Sequence, residues 1–451
     1  MYVCAFFALC SAWALGCILG WSGIALDSLK KNESIPHIRT IDDGTQTHPD
    51  DLEYETWMSS CVTLTALIGS LMSGFLTKFI GRRKTLIGMS IPTIIGWALI
   101  CYAKSFIVII IGRSITGFCC GVISGTTPGY IADISTPKTR GFLGTSFQIM
   151  ICFGELYLIC FGTLLEWNQL AYMAIIPVII SSVGMVFAPE SPITFIERDN
   201  EKGALKMLTM IRTKSSDIDD ELKELKERIE NKRLNNVGSG IGILKRVDVY
   251  NPTIIAILLN AFQQLSGVNA IMFYLTNIFE GGSSIPSNVA AIMVSGALVG
   301  ATLLSGFIVD KFGRKVLLLT SGIGHIVTLT IMGVYYKFIE PDCGWIPVVC
   351  LIVFVIVFSL GFGPIPWMIV GEVTPNEAMP LVSSLGSATN WLCAFIVTKE
   401  FKSLIQAINK CGTYWLFSSL SAVSVIYIYF FVPETKQRSI EQMQHYFLNK
   451  K

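Results

Sequence analysis

The fold is decided by a ten-residue stretch that occurs twice in the chain: GFLTKFIGRR at residues 74–83 and GFIVDKFGRK at residues 306–315. Two further motif pairs recur in the same order: Pro189-Glu190-Ser191-Pro192 with Pro433-Glu434-Thr435, and Asp133 near Pro137 with Glu372 near Pro375. Three pairs in one order indicate an internal repeat. We therefore expect two halves of the same architecture that face each other.

Charge is scarce in this chain of 451 residues, of which 52% are hydrophobic and only 15% are charged. Soluble proteins carry about 25% charged residues. The apolar residues form stretches of about 20 residues, the length that crosses a bilayer core. Twelve stretches are predicted to span: 3–26, 56–77, 85–103, 106–132, 143–164, 170–188, 253–278, 287–309, 316–337, 346–370, 383–404 and 412–432. The sequence thus predicts an all-α membrane protein, with twelve transmembrane helices in two six-helix pseudo-symmetric bundles.

The spacing of these stretches divides the chain into four regions. They are an N-terminal six-helix bundle at 1–188, a cytosolic helical linker at 189–251, a C-terminal six-helix bundle at 252–435 and a cytosolic tail at 436–451. In the linker, apolar residues recur at helical spacing, which predicts short amphipathic helices under the membrane. These residues are Ile218, Leu222, Leu225 and Ile229.

Basic residues set the expected orientation. They follow the second and eighth predicted spans, for example at Arg82, Arg83 and Arg314. Short basic loops stay in the cytosol, so we expect both termini on that side. The opposite loop, residues 27–54, is acidic and carries an N-glycosylation acceptor at Asn32, which fits an extracellular position.

Acidic residues recur at helix ends near these basic loops. We expect the charges to pair across the bundle and to form a cytosolic latch from Arg82, Arg83, Asp133, Arg140, Glu190, Asp310, Arg314, Glu372 and Glu434. An exposed ion pair contributes only about 0–1 kcal/mol, but several together can bias two conformations. The alternative is that the arginines only enforce the topology.

Two motifs carry a family resemblance: QQLSGVN at residues 263–269 and GPIPW at residues 363–367. Together with the repeats, they resemble the sugar porter family of the major facilitator superfamily over essentially the whole chain. Residues 358–367 and 390–399 are similar to its insect trehalose and hexose carriers. The resemblance implies facilitative transport of trehalose or a hexose such as glucose across the plasma membrane by alternating access.

The expected sugar site consists of amides and tryptophans: Gln148, Gln263, Gln264, Asn269, Trp367 and Trp391. An amide in an apolar helix needs a partner, and amides donate and accept hydrogen bonds as sugar hydroxyls do. On a continuous seventh helix, the three residues from the QQLSGVN motif would share one broad face. The alternative for each glutamine is a bond that joins two helices. By the resemblance, Pro364 and Pro366 break the tenth span, and with Tyr274 they are expected to gate the site.

Two positions bear on proton coupling. Proton-coupled members of the family typically carry Asp in the first span where this chain has Ser22, which favours facilitation over proton symport. Glu155 lies in the middle of the fifth predicted span, where an acid is a functional candidate. We expect it to pair with Arg113, which lies at a similar depth. Alternatively, Glu155 titrates and couples protons, or faces the cavity and binds a hydroxyl.

Other functions are less well supported by the sequence. It contains no nucleophile–base set, phosphate-binding loop or metal-ligand cluster, so we expect no enzyme activity, no catalytic or metal-binding residues and no cofactor. A small sugar and the lipid bilayer are the expected partners, without nucleic acid and without oligomerisation. His325 is expected to be a hydrogen-bonded polar residue. A proton-coupled sugar symporter, a non-transporting sugar sensor and a carrier of another solute remain alternatives.

Overall fold

The computed structural model describes residues 1–31, 49–136, 139–212, 218–234, 241–279, 285–340, 343–375, 378–438 and 440–449. Within them, every regular element is a helix. The first six are α1 (Tyr2–Lys31), α2 (Pro49–Ile80), α3 (Arg82–Cys101), α4 (Phe106–Ile134), α5 (Arg140–Gly162) and α6 (Trp167–Phe187). The linker forms α7 (Pro192–Glu197), α8 (Glu201–Ile211), α9 (Ile218–Leu234) and a 3-10 helix (Ile241–Lys245). Then follow α10 (Val247–Leu265), α11 (Val268–Phe273), α12 (Leu275–Phe279), α13 (Ser287–Phe312), α14 (Arg314–Val334), α15 (Ile346–Leu360), α16 (Ile365–Val373), α17 (Met379–Phe431) and α18 (Ile440–Asn449).

Eleven helical segments in the described part of the chain are long and apolar enough to cross a membrane. One of them, α17, has 53 residues. At 1.5 Å per residue a straight helix of that length would be about 80 Å long, more than twice a hydrocarbon core of about 30 Å. Asn409 interrupts it with φ 61° and ψ 170°, so α17 contains two crossings. The twelve-helix architecture predicted from the sequence is confirmed.

Glycines let helices of the first half approach closely. A Cβ on Gly16 of α1 would lie 2.0 Å from the carbonyl oxygen of Ile151 on α5. A Cβ on Gly69 of α2 would lie 2.1 Å from the carbonyl oxygen of Phe118 on α4. Small residues at such contacts are typical of helices in membranes, because they let backbones pack against each other.

The two halves meet along three sets of helices. The α5 and α13 helices contact each other, as Cys152 Sγ lies 3.7 Å from Thr302 Oγ1. The α2 and α17 helices contact each other where Trp57 lies against Phe395, with ring centroids 6.2 Å apart. The α1 helix meets α11 and α12. A sugar site between the halves would therefore be bordered by these helices.

The linker helices lie on the first half, and they form where the apolar spacing predicts them. Ile196, Ala204 and Ile229 form a small apolar cluster. Arg212, just after α8, donates to the carbonyl oxygen of Ile134 at the end of α4, at 2.8 Å. The linker is thus anchored to a transmembrane helix of the first half.

Two predicted spans are not single helices. The stretch 253–278 was expected to be continuous, but it is divided into α10, α11 and α12. The stretch 346–370 is divided between α15 and α16. In membranes, a helix is interrupted only where other groups satisfy the freed backbone, so both breaks mark places of structural specialisation.

Candidate functional site

The first break falls inside the QQLSGVN motif. Gly267 has φ +85°, a left-handed conformation that glycine adopts without steric cost. A Cβ at this position would lie 2.7 Å from the Phe417 ring. Gln263 and Gln264 therefore lie at the end of α10, whereas Asn269 lies on α11. The prediction that these three side chains share one face of a continuous helix is wrong.

The glutamines take part in a buried amide network that joins α10 to α17. Gln264 Nε2 donates to Asn390 Oδ1 at 3.0 Å. Asn390 Nδ2 in turn lies 2.5 Å from Gln263 Oε1 and 3.2 Å from Asn260 Oδ1. Gln263 Nε2 donates to the carbonyl oxygens of Phe362 and Gly363, at 2.5 and 3.0 Å, within the break of span ten. The network thus ties the two interrupted spans and α17 together.

Two buried polar atoms, one within this network and one on the residue that follows Asn390, have no partner among the described residues. They are the acceptor Gln264 Oε1 and the donor Trp391 Nε1. Gln264 is only 5% exposed and Trp391 only 6%. An unpaired buried donor or acceptor is costly and rare. The site therefore offers one acceptor and one donor to a ligand.

Three other predicted sugar-binding residues make no hydrogen bond to this network among the described residues. Gln148 is half-buried on α5, and its Nε2 lies 3.6 Å from Cys152 Sγ. Asn269 is half-buried, with no hydrogen bond among the described residues. Trp367 on α16 is 43% exposed. None of the three belongs to the amide network.

Sequence reasoning missed two members of that network. Asn260 and Asn390 are 1% and 3% exposed, and both bond to the predicted glutamines. Asn260 lies one helical turn before Gln263 and Gln264, so its position in an apolar helix was a usable signal. Asn390 lies directly before Trp391 in a motif that the family resemblance already includes.

The residues expected to gate the site lie at or beside the breaks. Pro364 precedes α16 and Pro366 lies in its first turn, where proline leaves no intrahelical bond unmade. Tyr274 lies between α11 and α12, is 1% exposed and donates to the carbonyl oxygen of Thr398 at 3.3 Å. Its ring stacks on Phe401, with centroids 5.3 Å apart.

Away from the linker helices, near the start of α2, the halves are joined by charged contacts that the sequence did not reveal. Lys402 of α17 forms an ion pair with Glu55 of α2. Lys399 Nζ donates to Thr56 Oγ1 at 2.8 Å and lies 4.5 Å from the centroid of the Trp57 ring. Beside them, Thr276 of α12 donates to the carbonyl oxygen of Gly23 on α1, at 2.5 Å.

Two arginines of the expected latch pair with acids of their own half. Arg82 Nε lies 3.0 Å from Asp133 Oδ2. Arg314 Nη2 lies 2.9 Å from Glu372 Oε1. Arg83 instead donates to backbone carbonyl oxygens at Met185 and Val186. The side chains of Arg140 and Asp310 lie outside the described residues, as does Asn32.

Glu190 and Glu434 have a different role from the one expected of them. Glu190 accepts from the backbone N–H of Arg83 at 2.9 Å, and Glu434 accepts from that of Arg314 at 3.0 Å. A carboxylate at a helix N-terminus satisfies free N–H groups and favours the helix dipole. These acids therefore cap α3 and α14.

The glycines at these two turns make room for the carboxylates. Gly81 and Gly313 have φ +100° and +91°, and a Cβ on either would lie 2.7 Å from the capping oxygen. The repeated motif thus encodes a helix start that is capped from the end of another span. Glycine is required there both for the backbone conformation and for space.

The expected pair between Arg113 and Glu155 does not form. Arg113 donates to the carbonyl oxygen of Ile18 at 2.7 Å and to Ser22 Oγ. Glu155 instead lies against Gly20, because a Cβ on Gly20 would be 3.0 Å from the Cα of Glu155. Gly20 and Ser22 are two residues apart, so at 100° per residue they lie about 160° apart around the axis of α1. The α1 helix therefore separates the two charges, which similar depth alone could not reveal.

His325 also differs from expectation. Neither of its ring nitrogens has a partner among the described residues. Its ring stacks on Phe354 and Phe362, with centroids 4.5 and 5.5 Å apart. The prediction that it is a hydrogen-bonded polar residue is wrong, and it supports the broken segment of span ten by aromatic packing.

The fold and the site define a membrane protein with two helical halves that contact each other and a buried amide network within the second half. Its sequence matches the family described as "Sugar (and other) transporter" over residues 7–447. The chain belongs to that family. Its members are named as transporters rather than enzymes.

Several relatives carry the name "Facilitated trehalose transporter Tret1". The protein of Apis mellifera ligustica is 37% identical over 412 residues, which cover 90% of this chain and 82% of the relative. The protein of Bombyx mori is 36% identical over 398 residues, with 86% and 78% covered. Among solved structures, the proton:xylose symporter XylE bound to 6-bromo-6-deoxy-D-glucose aligns with a TM-score of 0.82 and 20% identity, covering 99% of this chain and 98% of that one. At this identity, the match shows a shared fold.

Proposed function

We propose that this protein carries trehalose or a hexose such as glucose down its concentration gradient by alternating access. One observation carries the proposal: the acceptor Gln264 Oε1 and the donor Trp391 Nε1 are both buried and without a described partner. A sugar hydroxyl both donates and accepts, so sugar can satisfy both groups. Similarity to the Apis and Bombyx relatives named as trehalose transporters supports this substrate class.

The α5 helix extends the proposed site from the first half. Gln148 and Glu155 are two helical turns apart, so their side chains lie in line on one face of α5. The exposed residues Phe153 and Cys160 lie on its far side. Cys152, close to the shared face, contacts Thr302 of the second half. We assign Gln148 to sugar binding and Glu155 to accepting a sugar hydroxyl.

Uniport is supported by the surroundings of Arg113. This residue is fully buried, and its described side-chain partners are the neutral Ser22 and a backbone carbonyl. A guanidinium does not lose its proton in proteins. Arg113 with Ser22 therefore cannot bind and release a proton during transport.

The broken spans and the outer contacts supply the two states that alternating access requires. The pair between Glu55 and Lys402, with the bond from Lys399 to Thr56, closes the outer ends of α2 and of the first crossing of α17. Opening toward the outside must break them. The breaks at Gly267 and before Pro364 give spans seven and ten points at which they can bend.

The position in the cell is part of this proposal. We place the carrier in the plasma membrane as a monomer, with both termini in the cytosol and Asn32 as an extracellular glycosylation site. The basic loops support the orientation.

Uptake of radiolabelled trehalose and glucose in oocytes, with and without a proton gradient, tests this function. We expect saturable uptake of at least one sugar at a rate that does not change with the gradient. No uptake of either sugar at confirmed surface expression would contradict the proposal.

A proton-coupled symporter is the second candidate, and Glu155 is the observation that favours it. This carboxyl group lies within a transmembrane helix and has no ion pair or hydrogen bond among the described residues. Uptake that follows the imposed proton gradient, and loses that dependence in Glu155→Gln, would establish this alternative.

A further inference from the structure

Arg113 places a full positive charge in the interior of the first half. The residue is 0% exposed. Its Nη1 donates to the carbonyl oxygen of Ile18 at 2.7 Å, and its Nη2 donates to Ser22 Oγ. Its Cζ lies 5.2 Å from the centroid of the Trp21 ring. All of these contacts are made with α1, and all of them are with neutral groups.

This charge has no carboxylate partner among the described residues. Glu155, the partner expected from the sequence, lies on the opposite face of α1. The thiol of Cys61 lies close enough to the carbonyl oxygen of Met58 to donate to it, at 3.7 Å, and supplies no carboxylate. A buried charge without a counter-charge is strongly disfavoured, and Arg cannot escape the cost by deprotonation.

Two hydrogen-bond donors on side chains that contact Trp21 are also unused among the described residues. Arg113 Nε and Trp97 Nε1 are buried and have no described partner. Both side chains lie against Trp21, whose ring centroid is 6.2 Å from that of Trp97. The neighbouring glycines, Gly96 and Gly112, bring α3 and α4 close together, since a Cβ on Gly112 would lie 2.6 Å from the carbonyl oxygen of Gly96.

We propose that Arg113, Trp97 and Ser22 bind a small inorganic anion, and that this anion is chloride. The guanidinium and indole N–H groups supply donors. Ser22 accepts from Arg113, so its own O–H can donate to the anion. A monatomic anion matches a positive charge surrounded by closely packed helices, where a carboxylate or a phosphate would need more room. Bound chloride neutralises the buried guanidinium and satisfies both unpaired donors.

The test measures the melting midpoint of the purified full-length protein in lipid nanodiscs without sugar. Sodium gluconate is replaced by sodium chloride at constant ionic strength. Ligand that binds only the folded state raises this midpoint. We expect a saturable rise of about 2 °C between zero and 150 mM chloride. A ligand concentration about tenfold above Kd gives a rise of this size in a protein of this length.

Two matched variants locate the site. Ser22→Asp places a fixed carboxylate beside Arg113 and should abolish the chloride-dependent shift. Ser22→Asn introduces a side chain of the same size as aspartate without its charge, and this variant should retain the chloride-dependent shift. Trp97→Phe, which removes one donor, should shift the half-maximal chloride concentration upward about tenfold, the change that one hydrogen bond to a charged group gives.

Equal midpoints of the unaltered protein in the two salts would overturn the proposal, and this comparison needs no variant. A shift of the same size in Ser22→Asp would also overturn it, because chloride would then act elsewhere. Since sugar is absent throughout, neither result depends on whether the protein carries sugar.

Discussion

Replacement of Asn390 by alanine perturbs the amide network at its centre. Asn390 bonds to Gln264, Gln263 and Asn260, so the change leaves three buried amides without this partner. Hydrogen bonds between transmembrane helices contribute about 0.6 kcal/mol each. Three of them give about 2 kcal/mol, which corresponds to about a 30-fold change in an equilibrium constant. We expect kcat/KM for sugar uptake to fall by about that factor.

The assay is initial-rate uptake of radiolabelled trehalose or glucose, normalised to surface expression. Thr389→Ala is the matched control, because Thr389 is the neighbouring residue and its hydroxyl bonds only within its own helix, to the carbonyl oxygen of Leu385 at 2.9 Å. It should change uptake less than twofold. If Asn390→Ala transports with unchanged kcat/KM, the network does not position the sugar site and our reasoning about it fails.

Three other perturbations have defined outcomes. Lys402→Gln removes the ion pair with Glu55 and should increase the outward-open population about 10- to 100-fold, as expected for a charge-assisted bond of about 1.5–3 kcal/mol. Spin-label distances between α2 and α17 measure this population. Exchange of the two charges, which restores the pair, should reverse the increase. Glu155→Gln should raise the KM for sugar at every pH if Glu155 binds a hydroxyl, whereas an effect on the pH profile alone would refute that role. Gly313→Ala should destabilise the protein by about 2 kcal/mol through the left-handed backbone and the displaced Glu434 cap, and an unchanged melting midpoint would refute that account.

Much of the fold could be predicted because repeats and apolar lengths are local properties of a sequence. The duplicated GFLTKFIGRR-like motif and the twelve apolar stretches required no knowledge of packing. Asn409, which interrupts the 53-residue α17, lies in the gap between the predicted spans 383–404 and 412–432. The break at Gly267 could have been read from the Ser-Gly pair, because such dipeptides often mark turns.

The candidate site was only partly predictable, because side-chain direction depends on packing. Arg113 and Glu155 were matched by depth, but rise per residue says nothing about the direction in which a side chain points around its helix. The acids Glu190 and Glu434 were matched to arginines by charge, although backbone N–H groups compete for the same carboxylates. Trp391 was assigned to the sugar site from the sequence, but only the structure shows that its N–H has no partner among the described residues.

The most direct test of the central claim is equilibrium binding of radiolabelled trehalose and glucose to purified protein with Trp391→Phe. This change removes the N–H group that no described residue accepts. Trp13→Phe is the control, since Trp13 Nε1 also has no partner among the described residues, but the Trp13 ring packs against Phe153 and Tyr157 of the first half. We predict about tenfold weaker binding for Trp391→Phe, the effect of about 1.4 kcal/mol, and unchanged binding for Trp13→Phe. Equal sugar affinity in both variants and the unaltered protein would contradict a sugar site at the amide network.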